Sequence, residues 1–102
     1  MSTFKQESEK VVAWALDKGI LNKSTALLQN GKMVEEVYEL KHAIIMKDKE
    51  AVADELGDVL VTAVIQAQMW GLDVTECLRK AVTKITKRKG AMKEGVFVKE
   101  SA

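Results

Sequence analysis

Apolar residues recur at helical spacing along nearly the whole chain. From about Thr3 to Lys18 the apolar side consists of Val11, Val12, Trp14, Ala15 and Leu16, and Gly19 follows as a C-terminal stop. A second periodic stretch begins after Ser24, a residue suited to capping, and reaches about Met46. Met33, Val37, Leu40 and Ile44 mark its core side, while Gly31 inside it costs about 1 kcal/mol relative to alanine. Asp48 opens a third stretch that runs to Trp70 and stops at Gly71. Asp73 followed by Glu76 has the form of a capping box for a fourth, ending near Gly90. The remainder, Ala91 to Ala102, reads as a turn around Gly95 with a short extended piece, Val96 to Val98. The pattern predicts an all-α chain of four helices with an extended C-terminal tail, forming one domain over residues 1–102.

The third stretch sets a packing problem. At about 100° per residue, Val59, Leu60, Val61, Ala63, Val64 and Ile65 leave Thr62 as the one polar break, and a helix apolar on every side needs cover on every side. Three other helices from so short a chain do not easily supply it. A second copy is expected to, in a homodimer or larger homo-oligomer. Composition agrees with a helical class: there is no proline, and the strong helix formers Ala, Leu, Lys, Glu and Met dominate. Sixteen basic and 15 acidic residues leave a net charge of +1. Nothing global draws the chain to nucleic acid or anionic lipid, so neither a stable nucleic-acid partner nor a membrane is expected. The polar opening from Met1 to Lys10 lacks the apolar run of a signal peptide. The single cysteine, Cys77, forms no internal disulfide and reads as a small packing residue in a reducing compartment, so a cytoplasmic protein is the expectation.

Charge-based chemistry must then be local. Glu35, Glu36 and Glu39 fall on the second helix, Glu55 and Asp58 on the third. Side chains three or four residues apart share a helix face, with Cβ atoms about 5–6 Å apart. Glu36 therefore pairs with Glu39, and Glu55 with Asp58. The short connection around Lys47 to Glu50 makes the two helices antiparallel neighbours, so both pairs can face one point. On the second helix the glutamates taken alone match a solvated face. On the third they open an apolar segment, and burying two like charges costs several kcal/mol unless something compensates. Paired lysines are one answer, and a hard cation held by clustered carboxylate oxygens is the other. All-oxygen ligands favour magnesium, with manganese as a substitute, over zinc or copper. Glu39 and His42 also form a Glu-x-x-His unit of the di-iron kind, but that class needs two such units and the chain has one histidine. His42 reads instead as a polar-face residue. Magnesium on carboxylates commonly works with substrate phosphates. Lys80, Lys84, Lys87 and Arg88 make a basic stripe on the fourth helix that suits either a triphosphate or plain solvent, and Lys32 stands one turn before Glu36.

The segments KMVEEVYELKHAI and ADELGDVLVTAVIQA, in that order, resemble the MazG-like all-alpha nucleoside triphosphate pyrophosphohydrolases. The signature of that family is an E-x-x-E unit on one helix and an E-x-x-D unit on the next, here Glu36 to Glu39 and Glu55 to Asp58. The stretch KITKRKGAMKEGVFVKE resembles the basic end and tail of small bacterial and phage members, so the likeness covers roughly Trp14 to Glu100. It implies a four-helix bundle completed by oligomerisation, as dimers or tetramers with sites at subunit boundaries. It implies hydrolysis of a nucleoside triphosphate between the α and β phosphates, releasing monophosphate and pyrophosphate in nucleotide-pool housecleaning. Glu36, Glu39, Glu55 and Asp58 would hold magnesium, and Glu35 would orient or deprotonate the attacking water. Lys84 and Arg88 would steady the phosphates, with Lys32 adding to them. One departure stands out: many relatives carry an asparagine where this chain has Ala81, which implies a hydrogen bond to substrate lost or replaced.

Phe4, Trp14, Tyr38 and Trp70 are the aromatics available to a base, though for each a place in the core is the stronger reading. Trp14 is preferred because WALDKGIL also resembles the family's first helix. A non-catalytic helical module of the same fold, sensing nucleotide or metal or binding a protein, is the alternative. It gives no physical reason to keep four acidic groups at an apolar helix.

Overall fold

The computed structural model describes residues 1–100. Short polar side chains at the helix starts set its element boundaries. Thr3 opens α1 (Phe4–Asp17) through a capping box: its hydroxyl accepts from the Gln6 amide at 3.1 Å while the Gln6 side chain accepts from the Thr3 amide at 2.8 Å. Gly19, in the left-handed region at φ 79°, ends α1 and starts a single extra turn, α2 (Ile20–Lys23). Thr25 rather than Ser24 caps α3 (Ala26–Ile45), accepting from Leu28, and the Ser24 hydroxyl instead accepts from the Gln29 side chain. Asp48 caps α4 (Lys49–Met69) as expected. Asp73 caps α5 (Val74–Thr86) through Thr75, but Glu76 turns to Arg79 at 3.2 Å and leaves the expected capping box open.

The expected four helices are therefore present, with one short turn added. The extended tail is a β-hairpin, β1 (Gly90–Lys93) paired antiparallel with β2 (Val96–Lys99) in the register Gly90–Lys99 to Lys93–Val96. Its two-residue loop, Glu94–Gly95, has φ of 49° and 82°, the twist that matches a tight hairpin. Among the described residues the strands pack on each other and on no helix.

Helix α4 is the hub. It lies along α3 for most of its length and also meets α1, α2 and α5. Its second half carries most of the core: Thr62, Val64, Ile65 and Ala67 are buried there, as are Ser8 and Ala15 of α1, while Ala43 of α3 is buried near the reversal beside Ala51. The Gln66 side chain donates to the Ala26 carbonyl at 2.9 Å and accepts from the Trp70 indole at 3.0 Å, pinning this half to the start of α3. The expected cover for an all-apolar helix is thus partly supplied within the chain. A larger bare apolar face belongs to α3, where Leu27, Val34, Val37, Tyr38, Ile44 and Ile45 are all exposed. The chain exposes 8165 Å², whereas a compact monomer of 11.3 kDa exposes about 5,700 Å². Its radius of gyration, 16.0 Å, likewise exceeds the roughly 13 Å of a compact chain this long.

Candidate active site

The reversal between α3 and α4 fixes what faces what. Lys47 sits at its centre with φ 55°, and the Asp48 amide returns to the Ala43 carbonyl at 3.2 Å. Residues equally distant from Lys47 along the chain oppose each other in the hairpin, which sets Glu39 against Glu55 and Glu36 against Asp58. The structure brings Glu36, Glu39 and Glu55 together, with one carboxylate oxygen of each lying within 4.8 Å of the others. Asp58 stands one turn beyond Glu55, exposed and outside that group.

The electrostatics of the cluster are uncompensated. Glu36 and Glu55 are half-buried, and the Oε2 atom of each is buried without a hydrogen-bond partner. Burial, then the adjoining carboxylates of Glu36 and Glu39, push the Glu55 carboxyl up to about 7. The lysine answer to this crowding is absent among the described residues. The four ion pairs are Lys5–Asp73, Lys10–Glu7, Lys32–Glu35 and Arg79–Glu76, and none reaches Glu36, Glu39, Glu55 or Asp58. Crowded carboxylates with orphaned buried oxygens and no cation of their own are the donor set of a hard divalent ion.

The remaining candidates are more scattered. Glu35 is exposed and accepts a bond from Lys32 at 2.8 Å, so these two are partnered with each other. That bond, followed by the charges of Glu35, Glu36 and Glu39, raises the Lys32 ammonium above its ordinary range. Lys84 and Arg88 are exposed on and just past α5, which packs on α4 and α1 and makes no contact with α3 within the chain. Ala81 is one of the few half-buried positions of α5, a packing place that a small residue suits. Trp14 is half-exposed on α1, whose Val12 and Ala13 share a cleft with Val64 and Gln68, more than two turns of α4 beyond Glu55.

A different cleft adjoins the carboxylates. It encloses about 550 Å³ and is lined by Tyr38, Glu39, His42, Ala43, Met46, Asp48, Ala51 and Glu55. Tyr38 and His42 had sequence signals, an aromatic on the glutamate helix and an i,i+3 partner of Glu39. Tyr38 is one of the four aromatics expected to be available to a base, and His42 the residue expected on the polar face.

A family model for the MazG nucleotide pyrophosphohydrolase domain matches residues 24–92. The chain belongs to the MazG family. The match takes in α3, α4, α5 and most of β1, and contains all five acidic candidates; α1 and α2 lie outside it. No curated protein and no solved structure matches the chain significantly. MazG domains are generally divalent-metal dependent, and the Glu36, Glu39 and Glu55 cluster is a group that could hold a metal ion. Among the described residues of this MazG chain, no helix is long and apolar enough to cross a membrane.

Proposed function

We propose that the chain, acting as one domain over residues 1–102, hydrolyses a ribo- or deoxyribonucleoside triphosphate to the monophosphate and pyrophosphate in a magnesium-dependent reaction in the cytoplasm. The observation that carries this reading is the cluster of Glu36, Glu39 and Glu55, with two buried carboxylate oxygens unpartnered. These three would hold magnesium, or manganese in its place, with Asp58 completing the set from the next turn of α4. A divalent ion bound there would neutralise phosphate charge and polarise a phosphoryl oxygen.

The protein's own groups do the rest. Glu35 is the base for the attacking water. Its bond to Lys32 is exposed and so weakly held, and an arriving triphosphate competes for that ammonium. Lys32 then turns to phosphate and Glu35 is free to accept a proton. Lys84 and Arg88 steady the triphosphate; α5 does not touch α3 in its own chain, and these two would reach a triphosphate held at the carboxylates of a second copy. The bare apolar face of α3 around Leu27, Val34, Val37, Ile44 and Ile45, together with the excess exposed surface, supports association into a homodimer or homotetramer. Obligate assemblies commonly bury 2,000–5,000 Å² in total, about the scale of that excess. Trp14, on α1, would reach a nucleotide across the same boundary.

A product assay tests the reading. Purified protein with magnesium and a panel of nucleoside triphosphates should yield monophosphate and pyrophosphate, and a chelator should stop it. Absence of turnover in a folded oligomer, or release of orthophosphate instead, would contradict it.

A further inference from the structure

We propose that the cleft between Tyr38 and His42 receives the nucleobase of the substrate. The assignment rests on the metal-held triphosphate proposed above. The cleft shares Glu39 and Glu55 with the carboxylate cluster, so a ligand whose phosphates lie at that cluster has its nucleoside end directed into the cleft. Its volume of about 550 Å³ lies within the range of small-molecule sites. Its lining also fits a base. Ala43, Ala51 and Met46 give it apolar surface, and the Tyr38 ring offers a stacking platform that tolerates any base. The two ring nitrogens of His42 can hydrogen-bond to the polar edge of a base. Trp14 has none of this within the chain, since α1 runs along the far half of α4.

The chain contains one histidine and one tyrosine, so each ring gives its own proton resonances without further assignment. The experiment titrates the full-length protein, with magnesium, by NMR against a non-hydrolysable nucleoside triphosphate analogue and against tripolyphosphate, which has no base. Both rings should shift with the nucleotide and stay in place with tripolyphosphate, although both ligands bind by calorimetry. Tyr38→Ala should weaken nucleotide binding roughly 10-fold, and His42→Ala should flatten the ranking among bases. Both variants should bind tripolyphosphate as the parent does, a separation that a merely structural role would not produce.

Nucleotide binding that leaves both rings unmoved, or that quenches Trp14 fluorescence instead, overturns the base cleft and leaves the hydrolase reading standing. Equal ring shifts with both ligands overturn it too, because the cleft would then hold phosphate. If neither ligand binds, the hydrolase reading itself fails and the cleft assignment falls with it.

Discussion

Helix α4 divides into two halves that do opposite things. From Thr62 to Ala67 it is buried among α1, α2 and α3, with its one buried hydroxyl satisfied by the Val59 carbonyl at 2.6 Å. From Lys49 to Asp58 it is largely exposed, and where it does bury polar atoms, at Glu55, it leaves them without partners. The same backbone is well packed at one end and electrostatically frustrated at the other. The lesson is a division of labour: the second half holds the α3–α4 hairpin in register, and the first half uses that register to force carboxylates together. Proteins retain such a conflict between local charge and packing where a ligand resolves it.

Substitutions should separate the halves, the largest effect first. Ile65→Ala, in the buried half, should cost about 2–5 kcal/mol in denaturant unfolding, while metal affinity per folded molecule stays near that of the parent. A large loss of metal affinity in the still-folded variant would mean that the halves are not separable. In the crowded half, Glu55→Gln should leave the metal-free protein at least as thermally stable as the parent, because it removes one of three clustered charges. It should nonetheless weaken metal binding by more than the roughly 10–100-fold that loss of an outer-shell group costs. Asp58→Asn should abolish turnover with the fold intact, and retained activity would remove Asp58 from the site.

The pH dependence is a subtler probe of the same half. With its folded-state value near 7 and its ordinary value at 4.5, Glu55 keeps a proton in the folded chain that the unfolded chain has released. Its contribution to metal-free stability is therefore full below about 4.5 and lost as pH rises through 7. Metal competes with that proton, so affinity should climb with pH up to about 7 and then level off. A flat profile between those limits would show that Glu55 does not hold a proton that the metal must displace. The smallest effect belongs to Lys32→Ala. Its exposed bond to Glu35 contributes little, so the melting temperature should not move, while KM for a triphosphate should rise.

Much of this division could be read from the sequence, for reasons tied to particular residues. The i,i+3 spacing of Glu36 with Glu39 and the short reversal at Lys47 brought three of the four proposed ligands to one place, because helix geometry fixes both. Asp58 has the same spacing from Glu55, yet it is exposed and outside the group, which spacing alone does not encode. Helix α2 went unseen because a single turn after Gly19 has no room to show a period. Strand β1 went unseen because Gly90–Ala91–Met92–Lys93 has little strand preference, and its pairing depends on the positive φ at Glu94 and Gly95. The fourth helix stops at Thr86, short of Gly90, as the chain enters the run Lys87–Arg88–Lys89. The bare face of α3 was also hidden. Met33, Val37, Leu40 and Ile44 read as the core side, but α4 covers the side of Glu36 and Leu40, so Met33 and Leu40 are half-buried while Val37 and Ile44 are exposed.

The central claim is that the α3–α4 carboxylates bind a divalent ion. Calorimetric titration of manganese into the parent protein and into a folded Glu36→Gln/Glu55→Gln variant tests it most directly. Saturable binding to the parent that disappears in the variant is the predicted result. Equal binding to both proteins, or none to a folded parent, would contradict the account.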